Sequence, residues 1–489
     1  MKSRGLLGAR DAALIPPEIL HEYAATDADA AFRVWKVLKR RLKEQGMKEY
    51  FHTASRPLCS NLLRSGLMGM RVDKTRMFEI ADRLETVTRR IQSKIEEIAG
   101  ERINLNAPAQ KARVIFDVVG IPTDDPKVPL TTTGQYTTDR KILEKLFEKY
   151  QHPILRHCIN WARASKLQSN YAPGLEKWID KTHRVHTLFQ VGAQVSGRVS
   201  SKEPPLATMP RDKDHNDYPF LELKDDEVFS LRDMFIAAPG CELTSADVKQ
   251  AELVAIAVIA GDEKMLLIFR ERRDFHNEVA WTVFKVPRNE KPNKTIRTLS
   301  KGIVFGGFLY GGSAEGIAAF TGAPVDLIAG AMEGFAGQFP LTCGFLDGIA
   351  ELAIQEKVIT SPFGRKRRFV VTDYHDEAQL NHLRRQARDF FPQNAAAELT
   401  FRSMNRICAR FEKYRMKAWP VNLVYDNIIV EHPRAERRAV REIMSEEMTR
   451  PVPQLDNYRF AMEIGTADRW GEAERSAQVV YPEDVKEAA

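Results

Sequence analysis

Cysteine is scarce: five among 489 residues, Cys59, Cys158, Cys241, Cys343 and Cys408, odd in number, far apart and without a C-x-x-C pair. This excludes a disulfide framework and a thiolate zinc site, and points to buried thiols in a reducing compartment. Long apolar runs are missing as well. The nearest approach, Gly302 to Gly337, is broken by Glu315, Asp326 and Glu333, and no run of ~18 uncharged apolar residues exists to cross a membrane. The first twenty residues are basic, but Arg10, Asp11 and a Pro-Pro pair break their apolar content, which makes a poor signal peptide. A cytoplasmic protein is expected. Internal repeats and low-complexity tracts are absent. A dominant charge is absent too: 73 Lys and Arg against 66 Asp and Glu leave +7, which fits a polyanion partner and an ordinary basic enzyme equally well.

What is present belongs to a folded chain, 43% hydrophobic and 28% charged. At roughly 100–200 residues per domain, the length predicts several structural units. The clearest element runs from Asp73 to Gly100. Met77, Ile80, Leu84, Val87, Ile91, Ile95 and Ile98 recur at helical steps, Asp73 can cap the start and Gly100 the end. Asp139–Tyr150 and Ile154–Leu167 repeat the pattern, so this region reads as helical and elongated. Lys202–Asp226 reads as loop. Beyond it, Glu242–Val248 suits a short strand, and Val421–Val430 two strands around a turn.

Three segments can carry chemistry. In S-A-D-V-K-Q-A-E-L (Ser245–Leu253), a strand ends near Asp247 and a helix beginning near Gln250 carries Glu252, so two carboxylates meet at a strand–helix junction. An acidic helix N-terminus that suits the macrodipole is the structural alternative. In V-Y-D-N-I-I-V (Val424–Val430), a hairpin tip would present Asp426, although Asp and Asn are also ordinary turn residues. In R-T-L-S-K-G-I-V-F (Arg297–Phe305), helical positions i, i+4 and i+8 drift by only ~40° per step, so Arg297, Lys301 and Phe305 line a stripe about 12 Å long. Two cations and a ring suit a nucleotide; a solvated basic face with one core Phe is the alternative. Together the three describe one machine. Asp247 and Asp426 would hold two divalent metals, Mg²⁺ or Mn²⁺, for in-line phosphoryl transfer, and Arg297 and Lys301 would balance triphosphate charge.

With these motifs on the page, the chain resembles family A DNA polymerases, the class of bacterial DNA polymerase I and its phage relatives. The likeness follows the family's order along nearly the whole chain. Y-A-A-T-D-A-D (Tyr23–Asp29) is similar to the third motif of the proofreading exonuclease. T-T-T-G-Q-Y-T-T-D (Thr131–Asp139) and R-V-H-T-L-F…S-G-R-V-S-S (Arg184–Ser201) resemble the thumb and the lead into the palm. Ser245–Leu253, Arg297–Gly311 and Tyr425–Asn427 match motifs A, B and C, and E-I-G-T-A-D-R-W (Glu463–Trp470) the C-terminal strand.

The resemblance implies an α+β right hand, an antiparallel palm sheet with helical fingers and thumb. It divides the chain into an exonuclease remnant at 1–48, mainly thumb and lead-in at 49–229, palm at 230–262, fingers at 263–399 and palm again at 400–489. It implies template-directed DNA synthesis on a primer, with primer-template DNA and dNTPs as partners and room for a separate exonuclease or processivity partner. Asp247 and Asp426 become the metal carboxylates and Glu252 the steric gate against a ribose 2′-hydroxyl. Gln250 lies on the primer–template side, Arg198 at the primer-terminal minor groove, and Arg297, Lys301 and His276 at the triphosphate. Phe305 stacks on the incoming nucleotide and, being Phe rather than Tyr, implies discrimination against dideoxynucleotides. Tyr310 takes the template-base position. Arg270, Arg272, Arg273, Lys285, Arg288, Lys291 and Lys294 would add phosphate attraction. A single-subunit RNA polymerase and a catalytically weak or inactive DNA-binding relative are the alternatives. The short, divergent motifs have a viral or phage-like look.

The sequence also departs from the family pattern. Tyr425 and Asn427 flank the motif C aspartate where His and Glu are usual, which implies a weaker metal site or compensation by Glu252 or Glu431. Motif B carries one extra residue before Tyr310, which a bulge at Gly306–Gly307 would absorb. Ala207 and Thr208 stand where Gln and Asn are usual, and Phe390–Ala395 lacks Asn at the family's usual place. Upstream of Tyr23 and Asp27 too few residues remain for the other exonuclease motifs, so no intrinsic 3′→5′ exonuclease is expected, since a two-metal nuclease cannot work on one carboxylate. A fragment, a split gene or editing by another polypeptide would account for this. Asp373–Asp376 with His382 reads as a surface loop rather than a metal cluster.

Overall fold

The computed structural model describes residues 16–123, 130–131, 134–211 and 229–485. Residues 1–57 and 58–489 form two compact units. In the first, a 28-residue helix, Pro17–Glu44, has no buried residue. Trp35 packs on Phe51 with ring centroids 5.6 Å apart, and Tyr23–Asp29 lies on the helix, exposed along its length.

In the second unit, the helix read from periodicity spans Lys74–Ala99. Asp73 accepts from the Arg76 N–H at 3.0 Å, and Gly100 closes the helix in the left-handed region. Its buried face splits between two cores. Met77, Ile80 and Leu84 join the core beneath a small sheet, Arg184–Val185, Met70–Val72 and Phe235–Ile236. Val87, Ile91 and Ile95 meet Ile154, Leu155 and Ile159 of the helix Pro153–Asn170, with Leu143 and Leu146 of Arg140–Tyr150. This second core makes the helical arm a body of its own on a shared stem. Thr131–Asp139 and the Lys202–Asp226 loop lie partly outside the described residues. Within the latter, Leu206–Thr208 forms a 3₁₀ turn.

The main sheet is antiparallel throughout, in the order Trp419–Val424, Asn427–Pro433, Cys241–Val248, Met462–Ala467, Gln478–Val480. Trp419–Val424 is buried at every position, because helices cover one sheet face and the stem core the other. Over the sheet lies the 37-residue helix Glu377–Lys413, packed against Ala251–Ala260 and Pro340–Glu356. Asp373–Asp376 is an exposed loop, as read, and among the described residues no group of three or more His, Cys, Asp or Glu is arranged to hold a metal.

Three expectations need correction. The thiols are not uniformly buried: Cys158 and Cys408 are, but Cys59 is exposed, since it falls on the outward face of Arg56–Met68. The helix carrying Arg297 does not run on as a regular α-helix with a local bulge. It ends at Lys301 and continues as a π-helix over Gly302–Leu309, in which the Tyr310 N–H reaches the Phe305 carbonyl at 3.0 Å. The extra residue is thus spread over nearly two turns. The basic residues of the presumed fingers are partly neutralised: Arg270 pairs with Glu263, Arg272 with Glu483, Arg273 with Glu271 and Glu278, and Arg288 with Glu278.

Gly465 marks how closely the C-terminal helix approaches the sheet. A Cβ there would stand 1.9 Å from the Ala473 carbonyl and 2.8 Å from the Ala477 nitrogen, both backbone. Gly465→Ala is expected to destabilise the chain by about 2–3 kcal/mol, read as a lower midpoint in urea at unchanged slope. Wild-type stability in the variant would refute this packing.

Candidate active site

The site is built on register. Asn427 and Glu463 stand opposite Asp247 on the two neighbouring strands, so an amide and two carboxyl side chains form a row across three strands. Ser245 lies two residues back on the same face and donates to the Asn427 Oδ1 at 3.0 Å. Asp426 comes from the tight turn between Trp419–Val424 and Asn427–Pro433, where Tyr425 is left-handed at φ 56°. Its carbonyl meets the Val248 N–H at 3.4 Å, which binds the turn to the end of the Asp247 strand.

The two aspartates disturb each other. Burial first, then the neighbouring Asp426 charge, raises the Asp247 carboxyl well above the usual carboxylate range, against the pull of Arg211. Asp426 is raised too, chiefly by burial. Arg211 donates to Asp247 Oδ2 at 2.9 Å, while the buried Oδ1 has no hydrogen-bond partner. A crowded pair of carboxylates with one unsatisfied oxygen is a hard-oxygen donor set that suits a divalent cation. The carboxylates open onto adjoining cavities. Asp426 lines one of about 310 Å³ with Arg198, Gln250, Glu252, Phe305 and Tyr310. Asp247 lines one of about 210 Å³ with Arg211, Glu463 and Glu474.

Glu252 lies in the first turn of Ala251–Ala260, behind Gln250, which is left-handed at φ 52°. The Tyr310 hydroxyl donates to its Oε2 at 2.8 Å, and Arg198 pairs with its Oε1. Burial and the Glu252 charge push the Tyr310 hydroxyl far up, so it stays a donor. Arg198 also sits over the Tyr425 ring, 5.4 Å from its centroid.

Across the cavity, Phe305 packs 5.6 Å from His276 and 6.2 Å from Tyr310, centroid to centroid. Arg297 forks onto Asp274 at 2.7 and 2.9 Å and also donates to Asn277. His276 is buried, its Nδ1 is unpartnered, and burial lowers its pKa to about 4, so the ring is neutral at pH 7. Lys301 is exposed one turn beyond Arg297. The expected residues therefore converge on one region.

Glu431 does not compensate for the missing motif C carboxylate. It lies four residues along its strand, where Arg184 holds it at 2.6 Å and the Ala238 N–H donates to it at 3.1 Å. The third carboxylate beside Asp247 is Glu463. Sequence reading also missed Arg211, within the Lys202–Asp226 loop, and Asp389. Asp389 is raised to about 6, first by burial and then by the Glu252 charge, with Arg367 and Arg198 opposing, and its Oδ1 is unpartnered. Its position one residue before Phe390–Ala395, a segment that departs from the family pattern, was the available signal.

The Asp389 shift has a stability consequence. Between about pH 4 and 6 the folded chain holds this proton more tightly than the unfolded chain, so stability falls as the pH rises through that window. Asp389→Asn is expected to gain about 1 kcal/mol at pH 7.5, after allowance for partial exposure, and little at pH 4. Urea melts at the two pH values measure it; an equal change at both would contradict the assignment.

Comparison with known proteins identifies the family. Residues 74–472 match the model of DNA polymerase family A. DNA polymerase I of Treponema pallidum (strain Nichols) is 30% identical over 94% of this chain and 44% of its own length. That of Geobacillus stearothermophilus is 28% identical over 91% and 49%. The chain thus spans about half the length of the curated relatives it matches. The POL domain of Pol1 from M. smegmatis, solved in complex with DNA primer-template and dNTP, superposes with a TM-score of 0.78 at 24% identity, over 89% of this chain and 73% of that one. The fold is the α+β right-hand polymerase fold, and this chain belongs to DNA polymerase family A.

Proposed function

We propose that the chain is a template-directed DNA polymerase that adds deoxynucleotides to a primer 3′-hydroxyl. The observation that carries this reading is the convergence of Asp247 and Asp426, crowded and raised in pKa, beside a cavity walled by Glu252, Phe305 and Tyr310. Family membership and the names of the relatives support it. In this reading the Lys74–Ala99 arm is the thumb, the main sheet the palm, residues 263–399 the fingers, and residues 1–48 an exonuclease remnant.

Two Mg²⁺ ions held by Asp247 and Asp426 would make the primer hydroxyl a better nucleophile and offset charge on the leaving pyrophosphate. The 3′-oxygen attacks the α-phosphorus, the bond from that phosphorus to the bridging oxygen breaks, pyrophosphate departs and the hydroxyl proton passes to solvent. Lys301 and Arg297 face the triphosphate charge. Asp274 presets the Arg297 fork, so little side-chain order is lost on binding. Neutral His276 offers a hydrogen bond without adding charge, and Phe305 stacks on the incoming nucleotide. Gln250 and Arg198 border the primer side.

Glu252 works as the gate because it is held on both oxygens, by Tyr310 and Arg198. A free glutamate would rotate away from a ribose 2′-hydroxyl; this one cannot do so without breaking two bonds. Glu252→Ala is expected to raise ribonucleotide incorporation relative to deoxynucleotide by on the order of 10²-fold. Unchanged discrimination in single-nucleotide kinetics would remove the gate role.

One observation favours the rival reading of a weak or inactive relative. Motif C presents an amide at Asn427, and Arg211 occupies one oxygen of Asp247. Primer extension with Mg²⁺ on a primed template separates the two. The wild-type chain is expected to extend, and Asp247→Asn and Asp426→Asn to lose on the order of 10³-fold in kcat. No wild-type extension would support the rival, and activity retained in either variant would overturn the metal assignment.

A further inference from the structure

A cavity of about 450 Å³ lies on the far side of Gln250 from the nucleotide cavity and shares that residue with it. Its volume is that of a ligand site, and beyond Gln250 on the primer side and a general phosphate attraction by Arg270, Arg272 and Arg273 no ligand has been assigned to it. It is enclosed by the turn after Asp247, the end of the helix Glu263–Arg270, the turn around Asp456 and the C-terminal turn at Tyr481. Five cationic side chains and two carboxylates line it; Arg270 is paired with Glu263 and Arg273 with Glu271 and Glu278, so Lys249 and Arg272 are the cations on which an anion site here would chiefly rest. The cations are organised on an aromatic ring: the Arg272 guanidinium lies 3.8 Å from the Tyr481 centroid and the Lys249 ammonium 5.6 Å from it, on the same ring. Lys249 is anchored through its backbone, its N–H donating to the Ala461 carbonyl at 2.9 Å.

The backbone here is strained. Of the eleven non-glycine residues with left-handed φ among the described ones, four line this one cavity: Gln250, Arg272, Asp456 and Asn457. Each costs of order 1–3 kcal/mol, and such strain gathers at ligand sites. The ion pair that occupies Arg272, with Glu483 at 3.3 Å, is exposed, at 47% and 73% of the two side chains. Exposed pairs of this kind are weak and exchange readily for a stronger anion.

Position selects the anion. Lys249 follows the catalytic-site Asp247 by two residues, and Arg273, also on the wall, precedes by three residues the His276 that faces the triphosphate. The chain segments leading out of Asp247 and into His276 therefore both border this cavity. We propose that it is a binding site for inorganic pyrophosphate, which receives the product after its bond to the α-phosphorus has broken and before it reaches solvent. The proposal rests on the polymerase reading above and adds to it a site for the leaving product.

The test is primer extension by the full chain with pyrophosphate titrated in, beside calorimetric titration of pyrophosphate into the same proteins without DNA. Lys249→Ala and Arg272→Gln are each expected to raise the half-inhibiting pyrophosphate concentration and the calorimetric Kd about fivefold, the loss of one charge-assisted contact in a solvated site. Lys249→Ala should keep the wild-type KM for dNTP. Glu483→Gln, which removes the competing carboxylate, should lower both quantities about threefold by the same reasoning; its opposite sign excludes damage to the fold as the cause. Pyrophosphate inhibition and Kd unchanged in both cation variants would overturn the site. So would a change confined to the KM for dNTP, meaning a triphosphate site, or to the Kd for primer-template, meaning a DNA groove. If the wild-type chain failed to extend, the polymerase reading would fall, and calorimetry alone would still decide whether the cavity binds pyrophosphate.

Discussion

The burial of two like charges beside each other is the constraint on which the rest of this structure depends. Asp247 and Asp426 each lose hydration, and each raises the energy of the other's ionised form. No isolated chain segment would hold such a pair. What holds it is the sheet: seven consecutive pairings between Asn427–Pro433 and Cys241–Val248, and six between Met462–Ala467 and the same central strand. A slip of one residue on either side would turn Asp247 to the opposite face. The stem core is the second safeguard, because Leu243, Val424 and Ile429 are buried in it together. Apolar packing fixes the register, and the register imposes the electrostatic strain.

A second carboxylate cluster shows how that strain is spread. The Glu252 charge adds to burial in raising the Asp389 carboxyl, while Arg367 and Arg198 oppose it. Arg198 satisfies Glu252 and also covers the Tyr425 ring in the motif C turn. Glu252 and the Asp426 turn are thereby linked by one guanidinium. The Asp389 Oδ1 has no hydrogen-bond partner, and burial, then the Glu252 charge, raises its proton affinity.

Legibility in the sequence followed range. The Lys74–Ala99 helix was readable because its pattern, cap and stop are local: Asp73 bonds to Arg76 three residues away, and Gly100 takes the left-handed conformation that glycine accepts at no cost. The strand ending at Val248 and the hairpin around Asp426 were readable for the same reason. Motif order supplied what local pattern could not, namely that Asp247 and Asp426, 179 positions apart in the chain, belong together. What stayed hidden were partnerships with no local signature. Arg211 on Asp247, Glu463 beside it across a strand, and Glu431 withdrawn by Arg184 are all set by tertiary register. The thiol of Cys59 was misjudged because burial of a single small residue depends on which face of a helix the fold covers.

The π-helix links these two levels. Counting residues exposed the extra one between Phe305 and Tyr310, but a local bulge was the simplest way to absorb it. The structure spreads it over Gly302–Leu309 instead, and the side chains around this stretch account for the choice. Tyr310 has to reach Glu252 at 2.8 Å, while Phe305 has to face His276. An α-helix of the same length would rotate Tyr310 by ~100° relative to Phe305 and lose one contact or the other. Glycines within and just after the stretch admit the wider turn: a Cβ on Gly307 would meet Ile317 at 2.8 Å, and one on Gly312 the Gly306 carbonyl at 2.7 Å. The extra residue is therefore accommodated with both contacts made, Tyr310 on Glu252 and Phe305 against His276, at the wall of the cavity that Asp426 lines.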